Sequence, residues 1–172
     1  MNAMKSPCIA VLLFACATVL GCAKKSEAAE WEPTGPTLLT VTAEGVQKYL
    51  CESGTDGKLA WKFTGPQADL FDDKHQMVGT HSKSDTGPQW EIMGDTIVGT
   101  KVHERAASKA GAIPELQLSA KCTGSGTTFG KVVMIERLDT EEGLAPTLEG
   151  HSAGDEVKVQ YKARYVFHAA QH

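Results

Sequence analysis

EVKVQYKARYVFH, residues 156–168, is the stretch whose reading decides the fold. Val157, Val159, Tyr161, Ala163, Tyr165 and Phe167 fall on one side, Lys158, Gln160, Lys162, Arg164 and His168 on the other, and only Val166 breaks the alternation. Side chains of a strand point to opposite faces with a period of two, so this is a long antiparallel strand with one face buried and one wet. Tyr161, Tyr165 and Phe167 are expected in the core, with Lys158, Lys162 and Arg164 in water. His168 and His172 read as solvated.

Working outward, shorter segments carry the same signal: Thr37 to Thr42, Gly45 to Cys51, Lys58 to Phe63, Gln89 to Met93, Thr96 to His103, Glu115 to Lys121 and Thr128 to Leu138. Gly, Pro and Asp clusters separate them, at Gly54 to Gly57, Gly65-Pro66, Asp72-Asp73, Gly87-Pro88, Gly94-Asp95, Gly124 to Gly126 and Gly143 to Pro146. Two Trp-led hairpins echo each other, Trp61-Lys62-Phe63 with Met77-Val78-Gly79 and Trp90-Glu91-Ile92 with Ile97-Val98-Gly99. Their unequal spacing argues for neighbouring hairpins rather than a duplication. Only Glu104 to Ala112 looks helical, and Gly111 and Pro114 limit it to a turn or two. The expected fold is all-β: a single antiparallel β-sandwich or barrel-like domain with short turns and at most one short helical segment.

Lys5, the twelve-residue apolar run from Ile9 to Leu20, and the sequence Val19-Leu20-Gly21-Cys22 form a secretory signal ending at a lipoprotein cleavage pattern. The run is too short to span a bilayer. The expected organisation is a signal peptide over 1–21, a flexible tether over 22–36 running from a lipidated Cys22, and one β domain over 37–170. Ala23 after the cysteine favours the outer membrane by analogy with sorting rules. The expected location is the cell envelope, held by the lipid on Cys22. Removing 21 of 172 residues leaves 151 and moves the net charge from −4 to −5, since Lys5 leaves with them. That length supports one self-sufficient core. The acidic balance with scattered cations excludes a nucleic-acid partner. Cys8 and Cys16 go with the signal, leaving Cys51 and Cys122, which an oxidising compartment favours as a disulfide; the alternative is two separate buried thiols.

Imidazoles and carboxylates are densest around His81, Trp90, Glu91, Asp95 and His103, with His75 and Glu104 nearby. Such groups hold divalent metals or move protons. No His-x-His, His-Glu-x-x-His or Cys-x-x-Cys spacing fixes a ligand set, and alternation puts Trp90 and Glu91 on opposite faces, so hydrogen-bonded turn anchors are the plainer reading. No catalytic residue, metal or cofactor is assigned. Ser82, Ser84 and Ser125 lack the setting of a nucleophile elbow.

The ordered series Val46 to Cys51, Trp61, Gln67-Ala68-Asp69-Leu70, Val78-Gly79-Thr80-His81, Gly87-Pro88-Gln89-Trp90-Glu91, Ile113-Pro114, Ile135-Glu136-Arg137-Leu138, Ala145-Pro146 and Tyr161 to Phe167 resembles the domain-of-unknown-function family numbered 3455. The resemblance covers about Thr40 to Phe167. It implies a secreted or surface protein and brings no catalytic residues. The family pattern places a cysteine shortly after the Ala-Pro pair, where this chain has Gly150-His151, so Cys122 stands only as a substitute partner for Cys51. Dinucleotide chemistry is excluded, since no Gly-x-Gly-x-x-Gly turn opens a helix. The expected function is a binding or interaction module for a small amphiphile, a glycan or an envelope protein. The alternatives are a structural envelope protein without a ligand and a metal- or His-dependent enzyme.

Overall fold

A computed structural model describes Trp31, residues 35–123 and residues 129–171. Eight strands run in chain order: β1 Thr37–Ser53, β2 Leu59–Phe71, β3 Met77–Ser84, β4 Gly87–Ile92, β5 Asp95–Arg105, β6 Glu115–Thr123, β7 Val132–Glu142 and β8 Glu156–Ala169. Each pairs antiparallel with the next, and β8 returns to β1 to close a barrel. Of the two architectures expected, the protein is the barrel. Cys22, the signal segment 1–21, most of the tether, Ser125 and His172 lie outside the described residues.

The alternation of β8 has the predicted hand. Tyr161, Ala163, Tyr165 and Phe167 point inward and are almost completely buried, while Lys158 and Lys162 stand outside. Inward residues of β1 meet them in register, Val41 opposite Tyr165 and Ala43 opposite Ala163. Outside, Lys162 pairs with Glu44 at 2.9 Å across the seam and Arg164 with Asp139 at 2.6 Å. A charged outer face of this kind suits water, not the apolar band of a membrane-spanning barrel.

Four local expectations change. Gly65-Pro66 is not a turn: β2 runs through it, and a bulge opposite Lys48 and Tyr49 bends the strand there. Gly87-Pro88 opens β4 rather than standing between strands. Glu104 to Ala112 forms no helix; β5 continues to Arg105, and the described helical turn is a 3-10 turn at Phe129–Lys131. His168 is buried, not solvated, with Nε2 at 3.0 Å from Glu136 and Nδ1 at 3.2 Å from the Gly35 carbonyl.

The expected disulfide is also corrected. Cys51 and Cys122 are both free thiols. Cys51 sits near the end of β1, beside the β1–β2 turn, whereas Cys122 sits near the end of β6, at the opposite mouth of the barrel. What abuts Cys51 is the β7–β8 loop: the Cys51 amide donates to the Asp155 carbonyl and the Gly154 amide to the Cys51 carbonyl, each at 2.8 Å.

The two ends differ. At the first, where β1 begins and β8 ends, Leu70, Ile92, Ile97, Ile135 and Phe167 pack into a continuous core with Phe129 beneath them. The second carries the β1–β2, β3–β4, β5–β6 and β7–β8 connections, and its interior holds polar groups. Truncating Phe167 to Ala is expected to cost about 3–5 kcal/mol, as for other large core aromatics. Lys162→Ala should leave the denaturant midpoint nearly unchanged, and equal shifts for the two would mean that the register of β8 is reversed.

Candidate functional site

The inward row of β3 and β4 supplies the centre. His81 and Trp90 are cross-strand partners, and their rings stack at 4.5 Å and 9°. Tyr165 of β8 meets both edge-on, 5.1 Å from His81 and 5.4 Å from Trp90. Gly99 on β5 makes room for the indole, since a Cβ there would come within 2.9 Å of the Trp90 ring. The His81 Nδ1 lies 2.9 Å from the Gln89 carbonyl, so Nδ1 carries the proton and donates it. Burial holds the imidazole down to about 3, opposed in part by that hydrogen bond, with the Arg137 charge adding a lesser downward push, and the ring is neutral at pH 7.

Above this cluster, toward the second end, lies a cavity of about 220 Å³. Trp90, His81, Tyr165 and Leu118 form its floor, and Pro66, Pro88, Leu116 and the half-exposed Phe63 form its walls. Three cations line it, Lys83, Lys101 and Arg137, together with Gln47, and no carboxylate does. Lys101 is already paired with Glu104 at 2.8 Å. Arg137 donates from Nε at 3.1 Å and Nη2 at 2.7 Å to the Pro114 carbonyl of the β5–β6 loop, which fixes the guanidinium. Behind Gln47, Gly143 with a φ of +85° brings the β7–β8 loop close against Tyr161 and Gln47, and its carbonyl accepts from the Tyr49 hydroxyl at 2.6 Å.

Five buried polar atoms have no hydrogen-bond partner among the described residues: Gln47 Nε2, Trp61 Nε1, Trp90 Nε1 and the hydroxyls of Tyr161 and Tyr165. Gln47, Trp90 and Tyr165 line the cavity. All three can donate, and a buried donor left unmet costs on the order of 1–3 kcal/mol. Burial raises the Tyr165 phenol above its ordinary value, with Arg137 opposing, so it remains a donor across the physiological range.

The predicted polar constellation does not converge. His81 and Trp90 share the interior, whereas Glu91 points outside; Asp95 is buried opposite Ile92 on the inward row of β5, but at the first end of the barrel beside Cys122, and it does not line the cavity. His103 is exposed on β5. Among the described residues no group of His, Cys, Asp and Glu is arranged to hold a metal. The Cys122 thiol is raised by burial and then by the Asp95 carboxylate, so it stays protonated and unreactive. Sequence reasoning missed Gln47, Arg137, Lys83 and Lys101. One signal was present: Gln47 follows Val41, Ala43 and Gly45, and Arg137 follows Ile135, so each interrupts an apolar alternation on an inward row.

The chain belongs to the family described as protein of unknown function (DUF3455), whose model matches residues 32–169. Searches of curated proteins and of solved structures found no match.

Since His81 is held near 3 in the folded protein and titrates near 6.5 when unfolded, the unfolded chain binds the extra proton between those values. Stability therefore falls as pH drops through 6.5 toward 3, by at most about 1.4 kcal/mol per pH unit from this ring. His81→Phe should flatten the loss between pH 6.5 and 5, above the range where carboxylates titrate. Denaturant unfolding across that range checks it, and an unchanged slope would mean that His81 is not buried as described.

Proposed function

We propose that this protein is a lipid-anchored envelope binding protein whose barrel takes a small amphiphile. The observation that carries the reading is the cavity in one half of a closed barrel whose other half is a continuous apolar core. Eight-stranded barrels have an interior just wide enough for side chains or for one small ligand. Here one half is used each way. The floor offers flat aromatic surface and the rim offers charge, which is the division an amphiphile needs. A purely structural barrel gains nothing from unmet buried donors, and an enzyme of the His-carboxylate type would need a carboxylate beside His81 in the cavity, where none lines it. A glycan is the poorer match to walls of proline, leucine and aromatic rings.

Its size restricts the occupant. An engineered apolar cavity of about 150 Å³ holds benzene, so about 220 Å³ suits a single ring with a short polar arm. Titration calorimetry with 3-phenylpropan-1-ol is expected to give saturable one-to-one binding that Leu116→Trp, which fills the cavity wall, abolishes. No saturation up to about 10 mM, or equal binding by Leu116→Trp, would defeat the cavity reading.

The anchoring part of the proposal rests on the lipoprotein pattern ending at Cys22 and on the charged outer face of the barrel. Several acyl chains on one cysteine hold a protein on a bilayer far more firmly than one. Cys22→Ala is expected to move the protein from the outer-membrane fraction to the soluble fraction. Retention in membranes after alkaline washing would defeat it.

A further inference from the structure

We propose that the cavity is a monocarboxylate site, with the Arg137 guanidinium receiving the carboxylate and the aromatic floor receiving a small apolar or aromatic body; this rests on the amphiphile reading above. The sign of the site comes from its lining. Every ionised group there is a cation, and with Lys101 held by Glu104, Arg137 and Lys83 carry unneutralised charge. Neither has an ion-pair partner among the described residues, although the whole chain is acidic.

The hydrogen-bonding character agrees. Gln47 Nε2 and Trp90 Nε1, on residues nine-tenths or more buried, line the cavity and lack partners among the described residues. These are donors, so the complementary ligand presents oxygen acceptors. A guanidinium has five N–H donors. Two are used on the Pro114 carbonyl, which holds the fork from behind, and the remaining donors face the cavity beside the Tyr165 hydroxyl. A planar carboxylate matches that fork with two parallel bonds.

Arg137 is also placed to act inside the barrel rather than at its rim. It stands opposite Tyr165 on β8 and Leu116 on β6. Its charge is felt by His81 and Tyr165 at the cavity floor, and also by Tyr49 and Tyr161. Lys83, exposed at the opposite wall, can reach a bound anion only from the mouth.

The test compares two ligands of one shape, 3-phenylpropionate and 3-phenylpropan-1-ol, by titration calorimetry at pH 7.5 on the purified protein. The carboxylate is expected to bind at least about tenfold more tightly than the alcohol, the scale of one charge-assisted pair. Arg137→Gln should erase that preference, so that it binds carboxylate and alcohol with equal affinity. Arg137→Lys, which keeps the charge and loses the fork, should retain only part of it. Lys83→Met should weaken the carboxylate modestly and reduce its salt dependence. Circular dichroism establishes that each variant is folded. If Arg137→Gln does not fold, the Arg137→Lys and Lys83→Met titrations decide. Equal affinity for carboxylate and alcohol in the wild type overturns the carboxylate assignment and leaves the amphiphile reading standing. Binding of neither ligand overturns both. An undiminished carboxylate preference in folded Arg137→Gln or Arg137→Lys removes Arg137 from the site.

Discussion

Pairing of β8 with β1 is the constraint on which the rest depends. Every other strand pair joins neighbours in the chain, but this one brings residues 37–50 against residues 156–168. Loop-closure entropy opposes it only logarithmically, while the gain is an unbroken ladder and the removal of both sheet edges. Its inner side alternates small against large, Gly45 opposite Tyr161 and Val41 opposite Tyr165, so that two tyrosines fit within one closed ring. Its outer side carries the Glu44–Lys162 pair. Closure sets the interior width, and the width fixes what eight inward rows can fill.

Those rows change chemistry along the barrel axis. On β4 the inward positions go from Ile92 through Trp90 to Pro88, on β5 from Ile97 through Gly99 to Lys101, and on β7 from Ile135 to Arg137. On β3, Gly79 and His81 are followed by Lys83, and on β1, Val41, Ala43 and Gly45 are followed by Gln47. Five strands therefore replace small or aliphatic side chains with polar or ring-shaped ones at nearly the same height. Aliphatic side chains interdigitate to close packing; a ring, an amide and cations that must keep their donors solvated or paired do not. The hollow half follows from that substitution, and so does its electrostatic sign.

Much of the fold was legible because antiparallel strands facing water on one side write their period into the sequence. β8 could be read residue by residue, and β1, β4, β5 and β6 were recognisable as strands. What failed was punctuation. Gly65-Pro66 has the composition of a turn, yet a bulge also uses a glycine and a proline tolerates an irregular ladder, and composition does not separate the two. The burial of His168 was hidden because its partners, Glu136 and the Gly35 carbonyl, are distant in sequence. Most of the cavity lining was hidden for the same reason: Arg137 looks like an ordinary surface arginine until register places it opposite Tyr165. The polar cluster was chosen by nearness along the chain, which in a strand guarantees that alternate members point apart. His81 and Trp90 survived as a pair because a hairpin makes them cross-strand partners.

Register also changes what the segment before the barrel can do. Read from sequence, residues 22–36 are a spacer, but Trp31, Gly35 and Pro36 of it are seated against the barrel. The Arg105 guanidinium lies 4.3 Å over the Trp31 ring while holding Glu115 at 2.7 Å. The Gly35 carbonyl faces His168, and the Pro36 carbonyl accepts from the Ala169 amide at 3.0 Å. Glu115 is nearly buried, and its other oxygen accepts from the Asp139 amide at 2.9 Å, so the wall beneath Arg105 is rigid and its polar groups are met. If Cys22 carries lipid, Trp31 lies nine residues on, at most about 30 Å of chain at full extension. A barrel held that close moves with the membrane surface. A small carboxylate leaving or entering the head-group layer would then meet the cavity at high local concentration, and a site of modest intrinsic affinity would suffice.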